Sequence, residues 1–239
     1  MTGLDFFSKI YDGASPLIVF DVGAHVGHSV ASFHALFPNA NIHAFEPAPE
    51  NFRRLQTSFP AQLGIKLHPV AMGAKKGRTQ LHLNNYDATH STLPLNPQEI
   101  NRWADNSDFA ETAAIEVEQL SIDSFLLTAA LERIDILKMD VQGGELAVLE
   151  GARNTLNGQK IGCIFAEVEF RQLYAGQPLA WDIHAFLAKH GYYFINFICP
   201  KTTDAGLLSW ADAIYVNNAI WERLAAGHSA GKMPSLLSS

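Results

Sequence analysis

The sequence predicts an α/β domain built on a doubly wound, mostly parallel seven-stranded sheet, with helices on both faces and an antiparallel C-terminal hairpin. Three observations carry this. Short apolar runs alternate with stretches of helical spacing along most of the chain, the first run ends in a glycine turn, and acids close several later runs. A parallel strand buried on both faces reads as a continuous apolar run, and ligands of such sheets bind beyond the carboxyl ends of the strands.

Residues 1 to 16 form a lead-in in which Phe6, Phe7, Ile10 and Tyr11 pack as an amphipathic turn. Leu17 to Phe20 is the first strand, and Asp21-Val22-Gly23-Ala24-His25-Val26-Gly27-His28-Ser29 is the turn that follows. Val26, Val30, Phe33 and Phe37 recur at helical spacing until Pro38. Ile42 to Phe45 gives a second strand ending at Glu46; Phe52, Leu55 and Phe59 give a helix stopped by Pro60. A third strand is expected from Ile65 to Ala71, then a hairpin-like turn, Gly73 to Gly77, into the alternating Thr79 to Leu83. Periodicity weakens from Asn84 to Thr112, which reads as a lid or substrate loop. Ile115 to Leu120 is a strand, and Ser121 and Asp123 cap a short helix bearing Phe125 and Leu126. Ile134 to Asp140 is the fourth core strand, leading through Gly143-Gly144-Glu145 to a helix with Leu146, Val148 and Leu149. Ile161 to Val168 is the fifth, followed by a helix from Ala180 to Lys189; Tyr192 to Ile198 and Ala211 to Val216 pair as the hairpin. The domain is therefore drawn over 17–221, with the lid near 84–112 and a flexible tail over 222–239.

A chain of 239 residues, 48% hydrophobic and 10% aromatic, fits one such domain. Its net charge of -7 argues against a nucleic-acid surface, which needs clustered cations; Lys75, Lys76 and Arg78 are read as a solvated turn. No apolar run reaches the roughly 18 residues of a membrane span and no leader pattern opens the sequence, so a cytoplasmic location is expected. Cys163 and Cys199 are read as small buried hydrophobes without a disulfide.

The turn is neither G-x-G-x-x-G nor a loop ending in G-K-[ST]. An acid two residues before the first glycine points to S-adenosylmethionine, which lacks a pyrophosphate and carries an ammonium and a sulfonium. Glu46, at the second strand tip, is suited to accept hydrogen bonds from ribose hydroxyls. Asp21, Glu46, Ala71, Asp140 and Glu167 all fall at strand ends and converge on one site.

With these residues assembled, the chain resembles the FkbM family of S-adenosylmethionine-dependent methyltransferases, which have a Rossmann-like fold. Asp21 to Gly27 with Phe45-Glu46-Pro47 carries the likeness, as does Asp135 to Glu145 leading to Leu149-Glu150-Gly151-Ala152. The resemblance implies cofactor contacts from Asp21, Gly23, His25, Gly27, Ser29, Glu46, Pro47, Val70, Ala71 and Asp140. Gly23 and Gly27 would lie beneath the methionine and adenosine portions, Asp21 would serve the ammonium, and Val70 and Ala71 the adenine. Two departures stand out: Gln142, where the family commonly shows glutamate, and His25, where many methyltransferases place glycine or asparagine.

The implied reaction is O-methylation of a hydroxyl on a sugar, glycan or secondary metabolite; a nicotinamide-dependent redox enzyme and a non-catalytic cofactor-binding module are the alternatives. Lys138 and Asp140 share one side of their strand and, with Glu167, are the candidates for a proton-accepting role. Lys138 is equally suited to a structural ion pair with Asp140 or Glu167, since a buried ammonium requires a partner. At most one of Glu167 and Glu169 is expected to face the pocket. His68, His90 and His184 are further conceivable bases, and Ser91, Tyr86, Trp103 and Trp210 conceivable acceptor contacts. Asp140, Glu145 and Glu167 are the possible oxygen ligands for magnesium, though no spacing enforces a metal.

Overall fold

The computed structural model describes residues 3–60, 63–103, 109–203 and 205–228. In chain order the elements are α1 (Gly3–Ile10), β1 (Ile18–Val22), α2 (His28–Leu36), β2 (Asn41–Phe45), α3 (Pro49–Ser58), β3 (Lys66–His68), β4 (Ala71–Met72), β5 (Gly77–Asn84), α4 (Pro97–Trp103) and β6 (Glu111–Leu120). They continue with α5 (Ile122–Thr128), β7 (Ile134–Met139), α6 (Glu145–Glu150), α7 (Arg153–Asn157), β8 (Ile161–Glu169), α8 (Ala180–Lys189), β9 (Tyr193–Thr202), β10 (Leu208–Val216) and α9 (Asn218–His228). Seven strands form the main sheet in the order β3-β2-β1-β7-β8-β10-β9. The first five run parallel and β10 is antiparallel to both its neighbours, as the sequence predicts.

Alternate residues of the same strand enter different cores. Phe20, Val22, Leu137 and Met139 pack with α5, α6 and α8 residues such as Phe125, Val148 and Ile183. Val19, Ile42, Ile136 and Cys163 pack on the other face with Phe7, Val30, Phe33 and Ile220. This two-sided burial is why the strands read as unbroken apolar runs. The strand order reverses around β1, whose neighbours are β2 and β7, and there the connections diverge to leave a crevice.

Three expectations change. The strand expected through Ile65 to Ala71 is broken: β3 stops at His68, and Ala71–Met72 pairs with β6 in a separate three-stranded sheet, β4-β6-β5. Pro69 lies at the break and has no N–H to continue a ladder. The turn at Gly73 to Gly77 does not join paired strands, because β6 lies between β4 and β5. The hairpin is instead β5 with β6, and its long connection is the segment read as a lid. Finally, the expected tail beyond Trp221 is helical as far as His228, with Ile220 buried against the core; residues 229–239 lie outside the described residues. Cys163 is buried and Cys199 exposed, so only the first behaves as a core residue; both are free. Among the described residues no helix is long and apolar enough to cross a membrane.

Candidate active site

Beyond the tip of β1 the chain must turn at once, because the tip of β7 crowds it. A Cβ at Gly23 would sit 1.8 Å from the carbonyl oxygen of Asp140, and Gly23 has φ +78°. Only glycine fits that approach. Gly27 serves a different purpose from the one expected: its Cβ would meet Phe59 and Leu55 at 2.2 and 2.7 Å, so it lets α2 start against α3 rather than lining the crevice. Between them His25 holds φ +50° and donates its backbone N–H to Glu46 Oε2 at 2.8 Å. Its ring Nε2 lies 3.1 Å from Asp87 Oδ1, and Asp87 also pairs with Arg54 at 2.5 Å. The lid segment is thereby tied to the glycine turn.

The crevice has about 710 Å³ of empty space including its open mouth. Gly23, His25, Glu46, Pro47, Val70, Ala71 and Asp140 line it, together with Asn51, Asp87, Ala88, His90, Ser91, Thr92 and Gln142. Glu46 is its fixed anion. Oε1 accepts from Ala48 N–H and Oε2 from His25 N–H, each at 2.8 Å, leaving lone pairs for a ligand. Burial pushes its carboxyl up to about 7, against the opposing pull of those two donors. Asn51 is 2% exposed and donates to Asp87 O, while its own carbonyl oxygen has no partner. An unpaired buried acceptor in a cleft wall calls for an explanation.

Asp21 and Ser29 do not line the crevice. Asp21 is fully buried, accepts from Ser29 Oγ at 2.5 Å and lies 3.1 Å from Lys138 Nζ. Its carboxylate is thus engaged inside the sheet by Ser29 and Lys138. Lys138 is spent in the same place: it donates to Gly23 O at 3.0 Å and stands 3.6 Å from Asp140. Burial alone would lower its pKa, but Asp21 and Asp140 outweigh this and raise it, so the ammonium keeps its proton. The ion pair expected of Lys138 is present, with Asp21 as its nearer partner at 3.1 Å. Sequence pattern could not show this, since Asp21 lies on the neighbouring strand opposite Lys138.

Asp140 is 39% exposed in its side chain and reaches the crevice. Gln142 Nε2 donates both to Asp140 Oδ1 at 3.0 Å and to Glu167 Oε2 at 2.6 Å. Glu167 lies just behind the crevice wall, and burial among Asp140, Glu169, Glu145 and Asp212 raises its pKa well above the usual range. Glu169 does not face away from it. Positions two apart on a strand share a side, and burial together with Glu145 and Asp140 raises Glu169 to about 8. Glu145 accepts from Val141 N–H at 2.8 Å at the start of α6, as a first-turn acid. Among the described residues no three His, Cys, Asp or Glu side chains converge to hold a metal ion.

The histidines separate as clearly. His68 stacks on His43 and Phe45 and is pushed down to about 4 by burial, so it is a core ring. His184 packs against Phe194 and Tyr215, on the far side of the sheet edge. His90 lines the crevice, and its Nδ1 accepts Asn84 N–H at 3.0 Å. Burial lowers its pKa, so the neutral ring carries its proton on Nε2 and is a donor, not a base. Of the remaining candidates, Ser91 lines the crevice while Tyr86 is exposed and Trp210 sits over Lys201. Trp103 ends α4, and its side chain lies outside the described residues, as do residues 104–108 of the lid segment.

This arrangement of strands, turn and acid has relatives. The sequence matches the Methyltransferase FkbM domain over residues 21–194, from the tip of β1 into β9. The chain belongs to the FkbM methyltransferase family. It is 30% identical over 163 residues to 2-O-methyltransferase NoeI of Sinorhizobium fredii, covering 67% of this chain and 66% of that protein. It is 26% identical over 203 residues to 31-O-demethyl-FK506 methyltransferase FkbM of Streptomyces tacrolimicus, covering 73% and 72% of the two. To the hexuronic acid methyltransferase AglP of Haloferax volcanii it is 24% identical over 153 residues, covering 63% and 55%. The matched part spans just under two-thirds of NoeI.

Asn51, Asp87, Ala88 and Thr92, which line the crevice of this FkbM-family chain, and Tyr174, which reaches it through Gln142, are among the residues that the sequence reading passed over. Asn51 looks like any polar helix residue, and Asp87 and Thr92 lie in a segment without periodicity. The site's buried acids also leave a mark on stability. Glu46, Glu145 and Glu169 are 6%, 3% and 5% exposed, and burial lifts them to about 7, 7 and 8. From pH 6.5 to 8 the folded protein therefore binds protons that the unfolded chain, with acids near 4.3, has lost, so stability falls as pH rises. His43 and His68, pushed down by burial to about 3 and 4, oppose this in part, because the unfolded chain is still shedding their protons just above the ordinary value near 6.5. The unliganded protein is expected to lose about 2 kcal/mol, or about 5 °C in Tm, between pH 6.5 and 8. Differential scanning fluorimetry checks it; a Tm that rises over that interval would contradict the assignment.

Proposed function

We propose that the chain is a cytoplasmic S-adenosylmethionine-dependent O-methyltransferase acting on a hydroxyl of a sugar, glycan or secondary metabolite. The observation that carries the reading is Glu46, an anion pinned by His25 and Ala48 N–H groups across the crevice from the apolar wall of Val70, Ala71 and Met72. That pairing suits a nucleoside, with ribose hydroxyls donating to the carboxylate and a base against the wall. Asn51 adds an unfilled acceptor in the same region. The acceptor class is supported by the relatives named above, one a 2-O-methyltransferase and one a hexuronic acid methyltransferase. It is supported also by the crevice lining, which among the described residues includes no lysine or arginine to attract nucleic-acid phosphates.

When bound, the cofactor would supply an electrophilic methyl group on a sulfonium. The residues of the chain then position and exclude water: Glu46 and Asn51 fix the nucleoside, and the lid segment, held by Asp87 and Ser91, covers it. In-line transfer gains most from such positioning. The alcohol's proton needs an acceptor, and Glu167, tied to Asp140 through Gln142, is our candidate; burial among neighbouring acids raises its pKa well above the usual carboxylate range. Lys138 and His90 are excluded by their protons.

Titration calorimetry with S-adenosylhomocysteine tests the cofactor reading, and reduced nicotinamide serves as the competing ligand. Binding of the former alone is expected, and Asn51→Ala is expected to weaken it about tenfold, the worth of one hydrogen bond. Binding of reduced nicotinamide alone would overturn the reading. Mass-spectrometric screening of glycosides and metabolite extracts for products one methylene heavier then tests the acceptor class.

A further inference from the structure

Gln142 is held more firmly than a polar residue at a cleft edge needs to be. Its backbone has φ +54°, its carbonyl accepts from Ser91 Oγ at 2.6 Å, and its side-chain oxygen accepts from Tyr174 Oη at 3.0 Å. Tyr174 is fully buried, and its hydroxyl also lies 2.8 Å from Thr89 O in the lid segment. Ionised carboxylates only accept, so the amide turns its N–H₂ to Asp140 and Glu167 and its oxygen to Tyr174, whose single hydroxyl proton is shared with Thr89 O. A carboxylate at position 142 would accept from Tyr174 equally well but would offer those two acids no donor.

We propose that Gln142 and Tyr174 are a positioning pair for Glu167: Tyr174 holds the oxygen of the Gln142 amide, and the amide's N–H₂ ties Glu167 to Asp140, the acid that reaches the crevice. The need for it follows from the surroundings. Glu167 faces Asp140, Glu145, Glu169 and Asp212, and the nearest cation, Lys138, is already engaged by Asp21, Asp140 and Gly23 O. Among these neighbours the Gln142 amide is the group that donates to Glu167. Hydrogen bonds donated to the charged form favour it. Through Ser91 and Thr89 the same pair meets the lid segment, so the acid is oriented only where that segment is in place.

The proposal rests on the reading of Glu167 as proton acceptor, and its test is separable from it. In protein carrying carboxyl-¹³C glutamate, the Glu167 resonance is assigned by Glu167→Gln and titrated without any methyl acceptor. Its midpoint is expected to rise by about one unit in Gln142→Leu and further in Gln142→Glu, the loss of one charge-assisted donor and then the gain of a like charge. Tyr174→Phe, the mildest change, is expected to raise it by a smaller amount because the amide is free to turn. A single cooperative thermal transition, with the far-UV spectrum of the wild type, establishes that each variant is folded. A midpoint that stays put in Gln142→Leu, or that moves there but not in Tyr174→Phe, overturns the pair. With an acceptor in hand, the acidic limb of kcat is expected to move with the resonance; a limb that stays while the resonance moves removes the base reading of Glu167 and leaves the pair standing.

Discussion

Glu46→Ala is expected to weaken S-adenosylhomocysteine binding at least ~100-fold at pH 8, because two hydrogen bonds to an ionised acceptor are worth about 3 kcal/mol or more together. The carboxylate is ready for that task before any ligand arrives. Each oxygen already holds one backbone N–H, so no rotamer freedom is lost on binding, and lone pairs remain on both. Glu46→Gln is not a mild control here. An amide has one oxygen, so its N–H₂ would confront the N–H of either His25 or Ala48, and a loss within tenfold of that for alanine is expected. Protonation acts in the same direction: with the carboxyl lifted to about 7 by burial, affinity is full at pH 8 and declines as pH falls below 7. Calorimetry at both pH values decides the matter. Affinities within threefold of wild type in both variants would remove Glu46 from the ribose and leave the family's nucleoside pocket to be sought elsewhere in the crevice.

What could be read from the sequence divides along a physical line. The parallel core, the glycine turn and Glu46 were legible because each follows from local chemistry: an unbroken apolar run, a positive φ, an acid at a strand tip. Gly23 shows how far that goes, since its need for glycine is set by Asp140, a residue 117 positions away that happens to follow a recognisable strand. Cross-strand pairing was not legible. Asp21 reads as a ligand-binding acid at a strand end until β7 is laid beside β1, when Lys138 comes opposite it and claims it. The break at Pro69 had a local cause that the surrounding apolar residues masked. The lid segment had a recognisable lack of pattern but no indication of what it covers, because His25, Asn51 and Tyr174 hold it from three distant places.

Lys138 gives the second large effect, and it separates structure from chemistry. Lys138→Met is expected to cost about 3 to 5 kcal/mol, the usual result of stripping a buried ion of its partner. For a chain of this length that is about 10 °C or more in Tm. Asp21, fully buried, would keep only Ser29 as a donor, and Gly23 O would lose its own. The pair's contribution is present throughout the ordinary pH range, since a lysine whose folded pKa is raised loses its stabilising effect only as pH climbs through that higher value. Asp21→Asn combined with Lys138→Met removes both charges, and is expected to recover about 2 kcal/mol or more relative to Lys138→Met alone. A proton-accepting lysine behaves otherwise: its loss would leave Tm nearly unchanged and abolish turnover, and no change at Asp21 would restore it. Denaturation of the four proteins in the cycle therefore distinguishes the two roles without any knowledge of the methyl acceptor. A Lys138→Met protein as stable as wild type would return the residue to the catalytic candidates.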